Sequence, residues 1–252
     1  MDRQTFWDHA EVLRGVLLRI AAVIVVLVAV FFAAMPRMFD SVIMAPCRPD
    51  FPLYALLGLE TSEVSLVNIQ LASQFFIHMT ASLYMALATA FPVVLFMLWG
   101  FVAPGLYENE RRGVAPAFAG ACVMFFAGVA AGYFLVFPLT LRFLADYQLS
   151  ASIPNQISLD SYMDNFLMTV LLMGIIFELP VVAWLLGRIG VINRRVFTLY
   201  RRHAIVALLV LAAVVTPSGD PFTLLVVFTP VYILWELSAL AVPAPATSIS
   251  HK

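Results

Sequence analysis

The sequence predicts an all-α integral membrane protein with six transmembrane helices. Of its 252 residues, 63% are hydrophobic and only 12% are charged, and the mean hydropathy is +0.97. Soluble domains do not have this composition. A helix needs about 20 apolar residues to cross roughly 30 Å of hydrocarbon, and the chain offers several such runs. The predicted spans are about 16–34, 79–102, 114–139, 163–186, 204–215 and 222–242.

The N-terminal part predicts a helix at the membrane surface, a first span and an outside cap. Apolar residues recur at helical spacing from Phe6 to Leu17 within an otherwise polar stretch, which indicates an interfacial helix. The first span, 16–34, is followed by a long loop, 36–78, that contains Pro46 and three other prolines. We expect this loop to form a cap that lies on the bilayer surface.

The C-terminal part contains an interrupted span and two short ones. Glu178 and Pro180 interrupt the fourth span, 163–186. The fifth has only a dozen apolar residues, 204–215, and a turn at Thr216–Pro221 connects it to the last, 222–242. The sequence therefore predicts two short final helices that require tilt or a thinned bilayer.

The distribution of positive charge predicts that both termini are cytoplasmic. Six spans place the termini on one side of the membrane, and eleven of the fourteen lysines and arginines lie on that side. Because cytoplasmic loops carry the excess of such residues, the loop Phe101–Arg112 is predicted to be cytoplasmic as well. Its arginines orient the protein, whereas its acidic residues could also receive a positively charged peptide.

The sequence predicts no enzyme, metal site, cofactor or nucleic-acid partner. Cys47 and Cys122 lack the spacing of metal ligands, and no two histidines are one helical turn apart with a glutamate between them. The run Ser218-Gly219-Asp220 faintly resembles an intramembrane aspartyl protease motif, but its first glycine position is Pro217 and no second aspartate lies within a span. A tight turn is the better interpretation.

Glu178 is the strongest physical signal within the membrane. A charged side chain at mid-span costs about 2.5 kcal/mol or more if it faces lipid, so Glu178 should face protein or a water-filled cavity. Pro180 leaves the carbonyl of Ile176 without its helical donor and kinks the span. The carboxyl group of Glu178 and the carbonyl of Ile176 together form a polar site. This site could form a hydrogen bond within the monomer, bind a partner helix or act in a proton relay.

Glu110 and Glu11 are the candidate acids of a receptor for arginine. A carboxylate accepts a guanidinium through two parallel hydrogen bonds, so recognition of two consecutive arginines requires at least two acids. Each acid also has a simpler interpretation. Glu110 could be a solvated loop residue balanced by Arg111 and Arg112, and Glu11 could pair with Arg14, three residues further along the helix.

Five ordered segments resemble the TatC family, the multi-spanning receptor subunit of the twin-arginine protein translocase, over nearly the whole chain. These segments are FWDHAEVLR (6–14), FVAPGLYENERR (101–112), YFLVFP (133–138), FELP (177–180) and TPSGDPF (216–222). Pro46 matches the proline of the family's first outside loop. The resemblance implies six helices in a concave, glove-like arrangement.

The resemblance also implies a function and a set of site residues. The family binds the twin-arginine signal peptides of folded cargo at the cytoplasmic face of the bacterial inner membrane. It assembles with TatA- and TatB-type single-span proteins, as a homo-oligomer within a larger complex driven by the proton motive force. The implied signal-peptide contacts are Glu110, Glu11, Arg112, Arg111, Phe101, Leu106 and Tyr107. Glu178 and Pro180 would contact a partner helix or the signal peptide, and Pro46 and Asp220 would be structural residues of outside loops.

The chain departs from the family pattern near its N-terminus. Many relatives have a glutamate directly before the leucine-arginine pair, whereas Val12 stands there and Glu11 precedes it by one residue. This shift turns the carboxylate by about 100° around the helix.

The alternative function is a proton-coupled small-solute transporter with Glu178 as the relay. It is less favoured, since only this acid lies near mid-membrane.

Overall fold

The structure, a computed structural model, describes residues 3–59, 61–102, 108–150, 152, 155–216 and 219–242; the side chains of 3–9, 102 and 108–115 fall outside this description. The chain divides into two compact units. The first comprises Met1–Cys122 with Gln148–Leu167, and the second Val123–Tyr147 with Met168–Lys252.

In the first unit, one long helix replaces the predicted surface helix and first span. Helix α1 runs without interruption over Arg3–Met38, and it packs along helix α3, Ser73–Val102. The predicted surface helix and first span are therefore parts of one helix, and the position of its first turns at the membrane surface stays a prediction. The polar residues before Val16 change the hydropathy without breaking the helix, because charged residues such as Glu and Arg are good helix formers.

A hydrogen bond between α1 and α3 compensates for a proline near the end of α1. Pro36 has no N–H, so the carbonyl of Phe32, four residues earlier, loses its helical donor. Nε2 of His78 on α3 lies 2.7 Å from this carbonyl oxygen, and the His78 ring stacks on the Phe32 ring with centroids 3.9 Å apart. Because a carbonyl only accepts, Nε2 carries the proton.

The predicted cap, 36–78, has its own fold. A π-helical turn, Phe39–Ile43, and a 3₁₀ turn, Ala45–Cys47, follow α1, and a short helix α2 spans Pro52–Leu57. Within the cap, the buried hydroxyl of Tyr54 donates to the Pro46 carbonyl at 2.8 Å. Buried Pro46 therefore supports the turn through its backbone.

Residues far along the chain close the cap. Strand β1, Leu66–Val67, pairs in parallel with strand β2, Ile157–Ser158. The hydroxyl of Tyr162 donates to the carbonyl of Ile43, and Ser73 donates to the carboxylate of Asp160. Tyr162 is 2% exposed, so its hydrogen bond is protected from water. The cap is thus formed jointly by the segment that follows α1 and the segment that leads into helix α6.

The helix that follows the predicted cytoplasmic turn begins earlier than expected. Helix α4 begins at Glu108 and extends to Ala131, whereas the sequence predicted a helical span from 114. The difference arises because a charged first turn projects beyond the apolar run that hydropathy detects. The rings of Trp99 on α3 and Phe118 on α4 contact each other with centroids 4.6 Å apart, which holds the flanking helices together beside this connection.

From Val123 the chain belongs to the second unit, and its helical path continues past the predicted end of the third span. A π-helical turn, Gly132–Val136, connects α4 to helix α5, Phe137–Asp146. The helical path therefore extends seven residues beyond position 139. The π turn changes the hydrogen-bond register directly before Pro138, which has no N–H to donate.

The remaining helices of the second unit surround an apolar core. They are α6 (Leu159–Ile176), which belongs to this unit from Met168 onwards, α7 (Leu179–Arg188), α8 (Arg194–Leu199), α9 (Arg201–Val215) and α10 (Pro221–Ala241). Buried side chains from Met173, Leu208 and Val231 contribute to the core. The last two helices lie within three residues of their predicted bounds.

The described residues form a membrane protein. Five helical segments are long and apolar enough to cross a bilayer, and α9, with 15 residues, is shorter. Of the predicted turn before α10, Pro217 and Ser218 lie outside the described residues, whereas Gly219 and Asp220 have the features of a turn and a helix cap. Gly219 has a φ of +61°, and the Asp220 carboxylate accepts a hydrogen bond of 2.7 Å from the amide of Thr223, capping α10.

Candidate functional site

Glu178 lies at a break between two helices. α6 ends at Ile176 and α7 begins at Leu179, so the interruption predicted from Glu178 and Pro180 is present. The amide of Glu178 donates to the carbonyl of Ile175 at 3.1 Å, three residues earlier, in a tightened last turn. Its own carbonyl accepts from Val182 at 2.9 Å and starts α7. Pro180 fits the first turn of α7, where no N–H donor is needed.

The carboxyl group of Glu178 is not satisfied by its own helices. The side chain is half-buried, and its Oε1 atom is fully enclosed without a hydrogen-bond partner among the described residues. Glu178 occupies the N-cap position of α7, yet its side chain makes no capping hydrogen bond. An enclosed oxygen without a partner costs about 1–3 kcal/mol. The alternative that Glu178 hydrogen-bonds within the monomer thus finds no support in the described residues.

Three glycines allow α4 and α6 to pack closely next to this break. A Cβ on Gly128 of α4 would lie 2.4 Å from the Met173 carbonyl oxygen and 2.7 Å from Cβ of Phe177. A Cβ on Gly174 of α6 would meet the Phe125 ring at 2.9 Å, and one on Gly132 would meet Val170 at 3.0 Å. α4 and α6 therefore approach each other backbone to backbone, as at membrane helix interfaces with small residues. This contact fixes the position of Phe177, the neighbour of Glu178.

Glu11 lies on the exposed surface of α1. Its side chain is open to the surroundings, and within the described part of the chain it forms no ion pair, including none with Arg14. Val12 beside it is 56% exposed. The alternative of an internal pair with Arg14 therefore finds no support, and the Glu11 carboxylate is accessible to a ligand.

The other predicted signal-peptide contacts lie around the start of α4. Phe101 is half-buried in the last turn of α3. Glu110, Arg111 and Arg112 belong to the first turns of α4, but their side chains lie outside the described residues, and Leu106 and Tyr107 lie outside them altogether. The pairing of Glu110 with Glu11 remains a prediction.

Glu236 differs from Glu178 and Glu11 because it has partners among the described residues. Its Oε1 accepts from Nε of Arg201 at 2.8 Å and from Nη2 at 2.7 Å, and Nε of Arg201 also lies 3.0 Å from the Tyr232 hydroxyl. This pair connects the start of α9 to α10. Its charge is neutralised locally, so Glu236 is a structural acid.

Comparison with known proteins identifies the family. A family model described as Sec-independent protein translocase protein (TatC) matches residues 8–230. The chain belongs to the TatC family. Among curated TatC proteins, that of Campylobacter jejuni is 34% identical over 94% of each chain. That of Deinococcus radiodurans is 32% identical over 93% of this chain and 84% of its own length.

Solved structures support the same fold. A crystal structure titled twin arginine translocase receptor TatC superposes with a TM-score of 0.76 at 28% identity, covering 92% of this chain and 97% of the other. A second TatC structure, in DDM, gives a TM-score of 0.77 at 27% identity. The resemblance to TatC is therefore confirmed, and the chain is a multi-pass membrane component of a protein translocase. The small-solute transporter is not favoured.

Sequence reasoning missed two features of this TatC chain. The close glycine contact carries a signal in the sequence, since Gly128 and Gly132 have the G-x-x-x-G spacing typical of close helix pairs in membranes. The hydrogen bond between His78 and the Phe32 carbonyl is only partly indicated by the sequence. Pro36 shows that a carbonyl is freed, but nothing in the sequence says which side chain reaches it.

Proposed function

We propose that this TatC chain is the receptor subunit that binds the twin-arginine signal peptides of folded cargo at the cytoplasmic face of the bacterial inner membrane. The observation that carries the proposal is the accessible carboxylate of Glu11, which has no ion pair in the described part of the chain. Glu110 would supply the second acid, and two acids are the minimum for two consecutive guanidinium groups.

The neighbouring residues complete the proposed peptide site. Arg111 and Arg112 keep this loop in the cytoplasm, in accord with the positive-inside distribution. Phe101, Leu106 and Tyr107 would contact the apolar part of the signal peptide. The ring contact between Trp99 and Phe118 holds α3 and α4 together beside these residues, so the loop has a fixed base.

Glu178 would act separately, as the docking point for a transmembrane helix of a TatA- or TatB-type single-span partner. The support is its enclosed oxygen without a described hydrogen-bond partner, at a break in the helix. A polar group on a partner helix would satisfy it within the membrane, where water is scarce. Assembly of several copies with such partners, driven by the proton motive force, would follow.

Photocrosslinking tests the peptide site. Photoreactive residues are placed beside the two acids, at Val12 and Asn109 in turn, so that Glu11 and Glu110 are retained, and Val25, an exposed residue of α1 further into the apolar run, is the control position. Each protein is offered a precursor with an arginine pair and one with a lysine pair. We expect adducts at 12 and 109 that decrease at least several-fold with the lysine pair, because an ammonium group cannot make the two parallel bonds of a guanidinium. Equal labelling by both precursors would refute recognition by carboxylates.

A charge-neutral variant completes the test. Glu110→Gln keeps the size of the side chain but removes its charge, and we expect it to reduce binding of the arginine precursor close to that of the lysine precursor. Glu236→Gln is the matched control, because Glu236 is already paired with Arg201. Equal loss in both variants would show that overall charge, rather than these positions, governs binding.

A further inference from the structure

The segment 187–203 of the second unit is a strongly basic surface that the proposed peptide and partner sites do not use. It contains Arg188, Arg194, Arg195, Arg201, Arg202 and His203, and it has no aspartate or glutamate. Glu236 is paired with one of these arginines, Arg201. Within the described part of the chain, the guanidinium groups of Arg194, Arg195 and Arg202 have no ion pair, and all three side chains are exposed.

The basic surface has a rigid base. Phe197 of α8 is buried between Ala183 and Val242, and its ring contacts that of Trp235 at a centroid distance of 4.7 Å. Asn193 caps α8 by accepting a hydrogen bond of 3.0 Å from the amide of Arg195. The arginines at the two ends of α8 therefore project from a fixed helix instead of a mobile loop.

The arginines act together. The six residues of α8 rise about 9 Å between the pair Arg194/Arg195 and the pair Arg201/Arg202, which is close to the Debye length of about 8–10 Å. Their fields therefore add, apart from that of Arg201, which Glu236 neutralises. Arg188 stands over the Trp184 ring, 5.3 Å from its centroid, and adds another fixed positive charge.

Apolar side chains lie among these charges. Ile189, Val191, Leu199 and Tyr200 are each at least half exposed, and Leu199 reaches 73%. A surface that meets only water or a soluble anion gains nothing from exposing them. Basic side chains combined with exposed apolar ones are typical of segments that lie at the boundary between headgroups and acyl chains.

We infer that this basic surface binds the headgroups of anionic phospholipids, with phosphates held by Arg194, Arg195 and Arg202 and acyl chains against Leu199 and Val191. An arginine fork matches a phosphate with two parallel hydrogen bonds. Lipid binding here is independent of the recognition of signal peptides, which rests on acids in the first unit.

A lipid titration of the purified full-length chain tests the inference. Native mass spectrometry counts the adducts with dioleoylphosphatidylglycerol and, for comparison, dioleoylphosphatidylcholine. We compare the natural chain with Arg194→Gln/Arg195→Gln. The control Arg37→Gln/Arg48→Gln removes the same charge from the first unit. Each arginine near an anionic surface contributes roughly fivefold to binding, so we expect about 25-fold weaker phosphatidylglycerol binding in the first variant and no comparable loss in the control.

Three further measurements identify the ligand. Arg194→Lys/Arg195→Lys keeps the charge and should weaken phosphatidylglycerol binding only a fewfold. Leu199→Ser should weaken lipid binding without changing the effect of inorganic phosphate on that binding. Inorganic phosphate at 10 mM should not displace the lipid. Full displacement by phosphate, equal binding of both lipids, or an equal loss in the Arg37/Arg48 control would each overturn the inference. Unchanged thermal midpoints of the variants ensure that the comparison concerns binding and not folding.

Discussion

Two prolines in this chain disturb a helix, and the polar groups near them differ in whether the protein supplies a hydrogen-bond partner. At Pro36 the helix continues, and His78 donates to the carbonyl of Phe32 that the proline deprives of its helical donor. Just before Pro180 the helix is broken between Ile176 and Leu179, and the carboxyl group of Glu178 keeps an enclosed oxygen without a partner among the described residues. The first polar group is satisfied inside its own unit. The second is left open, which is the condition expected of a site that a partner completes.

The comparison teaches that a proline in a span is not by itself a functional signal. What distinguishes the two sites is whether the protein supplies the missing hydrogen-bond partner. A satisfied site should contribute to the stability of the isolated chain, whereas an open one should contribute little to stability and much to assembly. Three predictions test this difference, from the largest expected effect on stability to the smallest.

The largest effect on stability is expected at Gly128, which packs next to the helix break at Glu178. Gly128→Ala places a Cβ 2.4 Å from the Met173 carbonyl oxygen and 2.7 Å from Cβ of Phe177, so α4 and α6 must separate. Such overpacking typically costs about 1–3 kcal/mol. We expect the thermal midpoint in detergent to fall by several degrees, and assembly with a single-span partner to weaken because Phe177 moves.

Gly120→Ala is the matched control for this substitution. Gly120 lies in the same helix, but a Cβ there meets nothing within 4 Å. The control should be neutral or slightly stabilising, since alanine is favoured over glycine in helices by roughly 0.8–1 kcal/mol. Similar midpoints for the two variants would show that the close contact of α4 and α6 does not constrain the break.

The next effect is expected at the satisfied site. His78→Phe keeps an aromatic ring for stacking on Phe32 but removes the donor to the Phe32 carbonyl, which we expect to cost about 1 kcal/mol. Pro36→Ala restores an N–H that can serve the same carbonyl. In the Pro36→Ala background, His78→Phe should therefore cost much less.

This pair forms a double-mutant cycle, measured as thermal or denaturant unfolding of four proteins. A coupling free energy of at least about 0.5 kcal/mol supports the compensation of Pro36 by His78. Additive effects of the two substitutions would mean that the hydrogen bond does not replace the lost helical one.

The smallest effect on stability is expected at Glu178. Because Glu178→Gln removes no described hydrogen bond, we expect the unfolding free energy of the isolated chain to change by less than about 0.5 kcal/mol. The complex with a single-span partner should nevertheless be lost or reduced in size-exclusion chromatography. Glu236→Gln, which breaks an exposed ion pair worth about 0–1 kcal/mol, should keep the complex. A complex of unchanged size with Glu178→Gln would contradict the docking role.

Much of the fold follows from the sequence because the bilayer imposes strict lengths on apolar segments. The last two spans lie close to their predicted positions, and the break at Glu178 and Pro180 has a local cause in the missing N–H. Helix ends were predicted less well. α1 starts near Arg3 and α4 at Glu108, because hydropathy marks the edge of the hydrocarbon, whereas a helix continues wherever its backbone hydrogen bonds can form.

The residues of the candidate site also differ in how far the sequence alone predicts their roles. The presence of an acid within a span is visible in the sequence, so Glu178 could be singled out. Its missing partner depends on which helices are neighbours, and this is a property of the fold. The same holds for His78, whose role requires knowledge of its distance to Phe32. Glu11 and Glu110 were chosen from local chemistry and family resemblance, and their pairing remains a prediction.

The closure of the cap imposes an order on the biosynthesis of this protein. The hydroxyl of Tyr162 bonds to the carbonyl of Ile43 over a separation of 119 residues, and Ser73 bonds to Asp160 over 87. At about 5–20 residues per second, a ribosome needs roughly 6–24 s to make 119 residues. During that interval the segment 39–73 has left the ribosome without its closing contacts. The cap therefore completes only after the chain that leads into α6 has been synthesised and can join it.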